Sequence, residues 1–293
     1  MKKNIILNVI YYYYLFLFII LCILAVICGL YFILSGERFP MNELEDYEWF
    51  NFIFTDVANG MLYDMSYSQR HKTNNLPKQF IDIIDSEYTF LDIGSGGGEA
   101  TIYHLQEIFG KDIKIILSDL HPKINLWSRL ENKNISYIRE PVDATHLSNL
   151  PENVKIVSLF GSLHHMEPDT VGKVFEQIRK NNMTIFIVEP RRFCNVLQFL
   201  HILTLPLFGL VFYSVISLCG SAIVADNVFY GIMRFLLVPF FMTFDHILGA
   251  SRRYSAEEIE SMSNGLKLYH YWDWTFDYYI LAGNPRLTCD PSL

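Results

Sequence analysis

A short apolar segment followed by a cluster of glycines constrains this chain more than any other feature. Residues 88–93 have the composition of a buried strand, and glycines occupy four of the next five positions. Such glycines allow a tight turn in which backbone N–H groups approach a ligand closely. Residues 99–109, after the turn, have a helical composition. A strand, a glycine turn and a helix in this order form the unit that contains the ligand-binding turn of a doubly wound α/β sheet.

The spacing of the glycines separates two classes of ligand. A dinucleotide-binding turn has the pattern G-x-G-x-x-G, and its third glycine would fall at Glu99, where a carboxylate would repel a pyrophosphate. The pattern present is D-x-G-x-G-x-G, which begins at Asp92. An acid at this position suits a ligand that carries an ammonium group and no phosphate. The pattern resembles motif I of the class I S-adenosylmethionine (SAM) methyltransferases, and a glycine-rich turn without a ligand is the alternative.

Strands and helical segments alternate over residues 85–192, which predicts a mostly parallel sheet. Further strands are expected at residues 113–117, 135–138, 154–160 and 184–188, and a helix at residues 169–180. A later helix begins with a capping box formed by Ser255 and Glu258. Residues 267–273 and 275–282 are then expected to form a terminal strand pair. The resemblance implies the doubly wound, mostly parallel, seven-stranded sheet of a class I methyltransferase.

The same resemblance implies which residues hold SAM as the cofactor. Asp119, at the tip of the second strand, is expected to bind the ribose hydroxyl pair. Asp143, after the third strand, is expected to meet the adenine amine, and Asp92 the amine of the methionine part. The cofactor-binding residues predicted in this way are Asp92, Gly94, Ser95, Gly96, Gly98, Asp119, Leu120, Asp143 and Ala144.

Three residues after the fourth and fifth strands are candidates for catalysis. His164 and His165 follow the fourth strand, where a class I methyltransferase places residues near the transferred methyl group. Either histidine could act as a base or orient the acceptor, and packing around the cofactor is an equally open role. Glu189, at the tip of the fifth strand, could bind the acceptor or pair with Arg191 or Arg192. No metal is predicted, because adjacent histidines do not easily share one ion and no third ligand is apparent.

Two apolar regions depart from the methyltransferase pattern. Residues 5–34 contain no charged residue, whereas a bilayer-spanning helix needs about 20 apolar residues, so they predict an uncleaved membrane anchor. Residues 193–225 and 228–244 form a second apolar region, interrupted at Pro206 and Gly209. Both ends of this region must return to one sheet. It therefore predicts two short antiparallel helices that dip into the membrane or span it, and a buried helical pair covering the sheet is the alternative.

These features predict five segments along the chain. They are an N-terminal membrane anchor (1–36), a helical lid or extension (37–84), the SAM-binding core (85–192), a hydrophobic helical insertion (193–250) and a C-terminal helix with a strand pair (251–293). Within the extension, residues 42–64 are expected to form an amphipathic helix, and Tyr67 and His71 are candidates for lining the pocket.

The flanking charges give a conflicting signal about orientation. Lys2 and Lys3 precede the anchor, and Arg38 follows it among several acids. The positive-inside rule applied to these residues keeps the N-terminus in the cytoplasm and sends the catalytic domain across the membrane. Because SAM is made in the cytosol, we nevertheless expect the catalytic domain on the cytosolic side of the membrane.

Composition and charge narrow the classes of partner. The chain is 51% apolar, carries a formal net charge of −8 and has no basic stripe, so no nucleic-acid partner is expected. The predicted function is SAM-dependent methyl transfer to a small hydrophobic or lipid acceptor at the membrane. The alternatives are a non-catalytic membrane scaffold with a SAM-binding fold, or a methyltransferase that acts on a soluble small molecule or a protein. The sequence does not predict an oligomeric state.

Overall fold

The structure is a computed structural model that describes residues 2–47, 76–84, 87–147, 150–224, 228–273 and 275–283. Side chains are described within these ranges except for those of residues 2–7, 45, 216–224 and 228–236. The chain divides into two compact units. We call Met1–Met61 with Arg192–Arg253 the helical unit, and Leu62–Arg191 with Tyr254–Leu293 the sheet unit.

The sheet unit contains a seven-stranded sheet with the strand order β3-β2-β1-β4-β5-β7-β6. The strands are β1 (Thr89–Ile93), β2 (Lys114–Ser118), β3 (Ile135–Tyr137), β4 (Val154–Phe160), β5 (Thr184–Pro190), β6 (Lys267–Trp272) and β7 (Phe276–Ala282). The first five strands are parallel, and β7 runs antiparallel to both β5 and β6. This topology confirms the predicted mostly parallel sheet with an antiparallel end.

Helices of the sheet unit pack on both faces of the sheet. The helices of the whole described chain are α1 (Lys2–Ser35), α2 (Lys78–Ile81), α3 (Glu99–Phe109), α4 (Ile124–Trp127), α5 (Pro168–Lys180), α6 (Asn195–Val224), α7 (Val228–Arg252) and α8 (Ala256–Met262). On one face, α5 and α8 bury apolar residues against Leu91 and Ile93 of β1. On the other face, α2, α3 and α4 pack over Phe90 of the same strand. This alternation follows from the two-residue repeat of a strand.

Local sequence signals fix the ends of several helices. Ser255 Oγ accepts a hydrogen bond from the Glu258 backbone N–H, and the Glu258 carboxylate accepts one from the Ser255 N–H, which confirms the predicted capping box of α8. Helix α3 starts after Gly98 and ends before Gly110, which has a positive φ of 99°. The predicted bounds of α3 and β4 agree with the structure.

The two helices of the apolar insertion are long, and the prediction of two short helices was wrong. Helices α6 and α7 contain 30 and 25 residues, and α6 continues through Pro206 and Gly209. Gly209 marks a close approach of two helices, because a Cβ atom there would lie 2.8 Å from Thr243 Cγ2. Small residues have this role where apolar helices pack together. Gly209 therefore does not interrupt the helix; it is a position at which α6 packs closely on α7.

The N-terminal helix and the insertion share one core within the helical unit. Leu21, Ala25 and Cys28 of α1 pack in one buried cluster with Ile202 of α6 and Ile247 of α7. Sequence reasoning treated the anchor and the insertion as separate segments, because nothing local in either segment indicates their contact. Within the described ranges, two stretches are long and apolar enough to cross a membrane, judged by length and composition: Asn8–Ser35 and Asn195–Val215.

Some predicted features fall outside the described residues. The expected helix at residues 42–64 is described only at its start, where Leu44–Asp46 forms a short 3₁₀ turn. Tyr67 and His71, the candidates for lining the pocket, lie outside the described ranges. These three expectations therefore stay predictions.

Candidate functional site

The turn between β1 and α3 has a backbone that requires glycine. Gly94, Gly96 and Gly98 have φ angles of 68°, 51° and 83°. These values lie in the left-handed region, which residues with a Cβ atom rarely adopt. At Gly98 a Cβ atom would also lie 2.7 Å from Leu117 Cδ1. The glycines are thus needed both for the shape of the turn and for the close packing of α3 on β2.

Gly94 lies against Ser162, the second residue after β4. A Cβ atom on Gly94 would lie 3.3 Å from Ser162 Oγ. That hydroxyl is buried and has no hydrogen-bond partner among the described residues. Buried hydroxyl groups are nearly always paired, so an unpaired one requires an explanation. A ligand bound along the bare backbone of the glycine turn supplies one.

Asp92, next to the last residue of β1, is completely buried. Ser158 Oγ on β4 donates to Asp92 Oδ1 at 2.8 Å, whereas Oδ2 is buried with no partner in the described part of the chain. Burial raises the pKa of Asp92 to about 7, although the hydrogen bond from Ser158 opposes the rise. A cationic group beside the unpaired oxygen would stabilise the ionised carboxylate. The residue is therefore suited to the ammonium group of a ligand.

Asp119 directly follows β2 and connects this strand to the glycine turn. The Gly96 N–H donates to Asp119 Oδ2 at 2.9 Å, and the His121 N–H donates to Oδ1 at 2.8 Å. Each carboxylate oxygen has two lone pairs, so both can accept a further hydrogen bond from ligand hydroxyls. Leu120 is 54% exposed and offers an apolar surface beside this carboxylate.

Asp143 lies in the loop after β3, close to the end of β2. The Val142 N–H donates to the Asp119 carbonyl oxygen at 2.9 Å, which holds this loop at the same edge of the sheet. Thr145 donates to Asp143 Oδ1 through its hydroxyl at 2.7 Å and its N–H at 2.8 Å, and these bonds lower the pKa of Asp143. Ala144, between them, is buried. The carboxyl ends of β1, β2 and β3 therefore each present an acid.

His164 and Glu189 form a buried pair at the carboxyl ends of β4 and β5. His164 lies in the 3₁₀ turn Leu163–His165, and its Nδ1 is 2.5 Å from Glu189 Oε2. The Leu163 N–H donates to Glu189 Oε1 at 2.7 Å. Burial opposes ionisation of Glu189, but the charge and hydrogen bond of His164 outweigh it and lower the pKa of Glu189. The carboxylate therefore fixes the ring of His164 with Nδ1 towards Glu189 and Nε2 away from it.

His165 and Arg191 have different surroundings from this pair. The ring of His165 lies beside that of His164, with 4.3 Å between their centroids. The Arg191 guanidinium donates to the carbonyl oxygen of Asp273 at 3.0 Å and stacks 3.7 Å above the ring of Trp272. The partner observed for Glu189, His164, was not among the predicted ones, and their contact has the geometry of an oriented acid–base pair.

Solved structures share this arrangement of strands and helices. An O-methyltransferase from neocarzinostatin biosynthesis, solved with S-adenosyl-L-homocysteine (SAH) and 1,4-dihydroxy-2-naphthoic acid, matches with a TM-score of 0.50 at 11% identity, over 90% of this chain and 69% of that one. The fold is that of a class I methyltransferase. An O-methyltransferase family protein from Burkholderia thailandensis matches with a TM-score of 0.49 at 11% identity, over 80% of this chain and 60% of that one.

The extent of these similarities limits what they establish. The chain covers 54 to 60% of the length of three of the O-methyltransferase structures that it matches. No protein-family model and no curated protein matches the sequence. The similarity therefore establishes the class I methyltransferase fold, and the reaction has to be argued from the site.

Two buried polar residues of the methyltransferase fold were absent from the predicted site. Ser158 is the partner of Asp92. Its hydroxyl, in a strand that is apolar apart from this residue and Lys155, is a sequence signal whose meaning depends on how β1 and β4 are aligned. His104 on α3 is 1% exposed, stacks on Phe160 with 4.5 Å between ring centroids, and has no partner for either ring nitrogen in the described chain. Burial lowers the pKa of His104 to about 4. A lone histidine in a helix carries no sequence signal for such burial.

Replacing Asp119 with asparagine is expected to weaken SAH binding about 10- to 100-fold, because a hydrogen bond to a charged group contributes roughly 1.5–3 kcal/mol. Asparagine preserves the size of the side chain and one oxygen for the Gly96 N–H. Isothermal titration calorimetry of the full-length protein in detergent measures the change. The exposed Asp112, which precedes β2 at the opposite edge of the sheet, provides the matched control Asp112→Asn. Equal affinities for both variants would contradict this placement of the cofactor.

Proposed function

We propose that the protein transfers the methyl group of SAM to a hydroxyl or amine of a small hydrophobic acceptor at the membrane. The observation that carries this proposal is the buried His164–Glu189 pair, which follows β4, a neighbour of β1 in the sheet, and β5, the next strand after β4. The pair adds a base to a fold that binds SAM. A scaffold that only bound SAM would have no need of an oriented imidazole–carboxylate pair.

The residues of the glycine turn fit the cofactor. The unpaired Oδ2 of Asp92 suits its ammonium group, and the free lone pairs of Asp119 suit the ribose hydroxyls. Asp143, with Leu120 and Ala144, would contact the adenine. When bound, SAM supplies a methyl group that is already activated on a sulfonium, so that orientation of the acceptor provides much of the catalysis.

His164 is the residue that we propose as the general base. The Glu189 carboxylate accepts a hydrogen bond from the Nδ1–H of the imidazole, which keeps the ring in one orientation. The lone pair of the neutral ring is then on Nε2, which can take the proton of an acceptor hydroxyl or amine. The positive charge that develops on the imidazole is stabilised by the adjacent carboxylate.

Two observations support a hydrophobic acceptor. The chain from β5 enters the apolar insertion within five residues of Pro190, so the catalytic strand is covalently joined to helices suited to a bilayer. The neocarzinostatin O-methyltransferase was solved with an aromatic naphthoic acid, a small molecule that carries hydroxyl groups. A lipid or aromatic compound that partitions into the bilayer combines these features. The sheet unit is proposed to face the cytosol, where SAM is made.

The test is to incubate membranes that contain the full-length protein with methyl-labelled SAM and to separate lipid, aqueous and protein fractions. We expect label in the lipid fraction, and its loss in membranes that contain His164→Ala at the same level. Label confined to the aqueous or protein fraction would contradict a hydrophobic acceptor and leave methyl transfer intact. Absence of label together with absence of SAH binding by calorimetry would contradict the enzymatic function and favour the scaffold.

A further inference from the structure

The three long helices of the helical unit bring particular ends together. The Phe39 N–H, just after α1, donates to the carbonyl oxygen of Ser251 at 3.1 Å. Gln198 Nε2, in the first turn of α6, donates to the carbonyl oxygen of Ala250 at 2.6 Å. The C-terminal ends of α1 and α7 therefore meet the N-terminal end of α6. It follows that α1 runs antiparallel to α6 and parallel to α7.

This shared end of the helical unit is strongly charged, and we call it the charged end. The Arg252 guanidinium is buried and lies 2.9 Å from Asp46 Oδ2. Arg38 donates to the carbonyl oxygen of Arg252 at 2.5 Å, and Arg192 donates to that of Arg253 at 3.0 Å. An arginine at each of the three helix ends therefore either donates to a backbone carbonyl oxygen or pairs with an acid. Groups of this kind are compatible with a membrane–water interface and not with a hydrocarbon interior.

Beyond the charged end, the outer surface of the helical unit is apolar. Large apolar side chains are exposed along α1 and α6, among them Val9, Phe16, Ile23, Ile27, Leu200, Phe208 and Val215. Soluble monomers rarely expose large contiguous apolar patches, so a row of exposed apolar side chains along two helices indicates an interaction surface. Helices of 34, 30 and 25 residues are roughly 37 to 51 Å long, against a hydrocarbon core of about 30 Å. The partner that fits this surface is a bilayer.

Tight helix contacts inside the unit agree with this partner. A Cβ atom on Gly29 of α1 would lie 2.8 Å from Phe199 Cδ2 of α6, and Gly209 of α6 has the same relation to Thr243 of α7. Glycines at such contacts let helix backbones approach closely, which is how helices associate in lipid. The Gly29 contact lies near the charged end, and the Gly209 contact lies further along the helices.

The charges that flank the helix ends define an orientation once the three helices are considered together. Arg38, Arg191, Arg192, Arg252 and Arg253 lie within five residues, along the chain, of a helix end at the charged end, whereas Lys2 and Lys3 are the first residues of α1 at the other end. Arg234 lies six residues after the start of α7, which is about 9 Å along the helix from that end. Five cationic residues therefore flank the helices at the charged end, and three flank them at the opposite end. The positive-inside rule counts these cationic residues, and acids contribute little to it.

We infer that the helical unit spans the bilayer three times, with its charged end at the cytosolic face and the start of α1 on the opposite side of the membrane. This orientation reverses the one indicated by Lys2, Lys3 and Arg38 alone. It agrees with a cytosolic position for the sheet unit, to which the charged end is joined by the chain. The inference rests on helix packing and flanking charge, and it does not depend on methyl transfer.

Glycosylation mapping in sealed microsomes tests this topology on the full-length chain. The chain carries natural acceptor sequences at Asn134 and at Asn182, and Asn182 is exposed. A third acceptor sequence is added on a flexible extension before Met1. We expect glycosylation of the extension only, because the sheet unit stays outside the lumen. Glycosylation at Asn134 or Asn182, checked by replacing each with glutamine, would overturn the inference.

A protease-protection measurement locates the N-terminus even where the extension before Met1 is not glycosylated. Protease added outside sealed microsomes is expected to digest the sheet unit and to leave an epitope before Met1 protected. Digestion of that epitope would place the N-terminus in the cytosol and overturn the inference. Four lysines inserted before the epitope are expected to lower the protected share at least severalfold, and four glutamines are expected to leave it unchanged.

Discussion

Replacing His164 with alanine is expected to lower kcat for methyl transfer by about 10² to 10⁴-fold, the range that a positioned general base contributes. The affinity for SAH is expected to stay within about twofold of the wild type, because His164 is proposed to act on the acceptor. Single-turnover assays with labelled SAM, using the acceptor fraction identified from membranes, measure the rate. Calorimetry with SAH provides the second readout.

His165→Ala is the matched control for this prediction, since the two rings are adjacent and the hydrogen bond between Nδ1 and the Glu189 carboxylate belongs to His164. We expect a much smaller loss of rate in this control. Glu189→Gln is expected to lower the rate less than His164→Ala and to shift the pH–rate profile to a lower pH for an unprotonated base, because the imidazolium loses its stabilising charge. Equal losses for His164→Ala and His165→Ala would assign both rings a packing role.

Asp92→Asn and His104→Phe are expected to change the pH dependence of stability in opposite directions. The pKa of Asp92 rises on folding from 3.8 to about 7, so its ionisation destabilises the fold as the pH rises through this window. The pKa of His104 falls on folding from 6.5 to about 4, so its protonation destabilises the fold as the pH drops. At one pKa unit per 1.36 kcal/mol, the two effects reach about 4 and about 3 kcal/mol. In the wild type they largely cancel between pH 4 and 7.

Removing either group should therefore reveal the other. Relative to the wild type, Asp92→Asn is expected to gain most stability at pH 7 and nothing at pH 4. His104→Phe is expected to gain most at pH 4, apart from a constant offset from repacking. Chemical denaturation of full-length protein in detergent, followed by tryptophan fluorescence, gives both curves. The exposed His146 supplies the control His146→Phe, and curves that run parallel to the wild type for both test variants would contradict the prediction.

The sheet was predictable from sequence because its local signals agree with its tertiary structure. Val154–Phe160 is apolar almost throughout and is buried in the sheet, and the capping signal of Ser255 and Glu258 marks a helix start that packing also needs. The insertion was less predictable. By local propensity, Pro206 and Gly209 are helix breakers. At Gly209, however, close packing against a neighbouring helix favours a continuous helix.

The candidate site was predictable in its position and not in its electrostatics. The acids Asp92, Asp119 and Asp143 follow strand ends, and parallel strands bring such ends to one edge. The register between β1 and β4 determines that Asp92 is buried with one unpaired oxygen. The choice of His164 as the partner of Glu189 likewise depends on the 3₁₀ turn after β4, which the sequence does not specify.

The position of β7 between β5 and β6 has a consequence for biosynthesis. β5 leaves the ribosome before the apolar insertion, whereas β7, whose residue Asp277 pairs with Glu189, is translated after it. Until β7 is translated, β5 is an open edge with unsatisfied backbone groups, a state that favours aggregation. Nascent chains that stop before residue 276 should therefore require chaperones, and completion of the catalytic edge must be among the last events of folding.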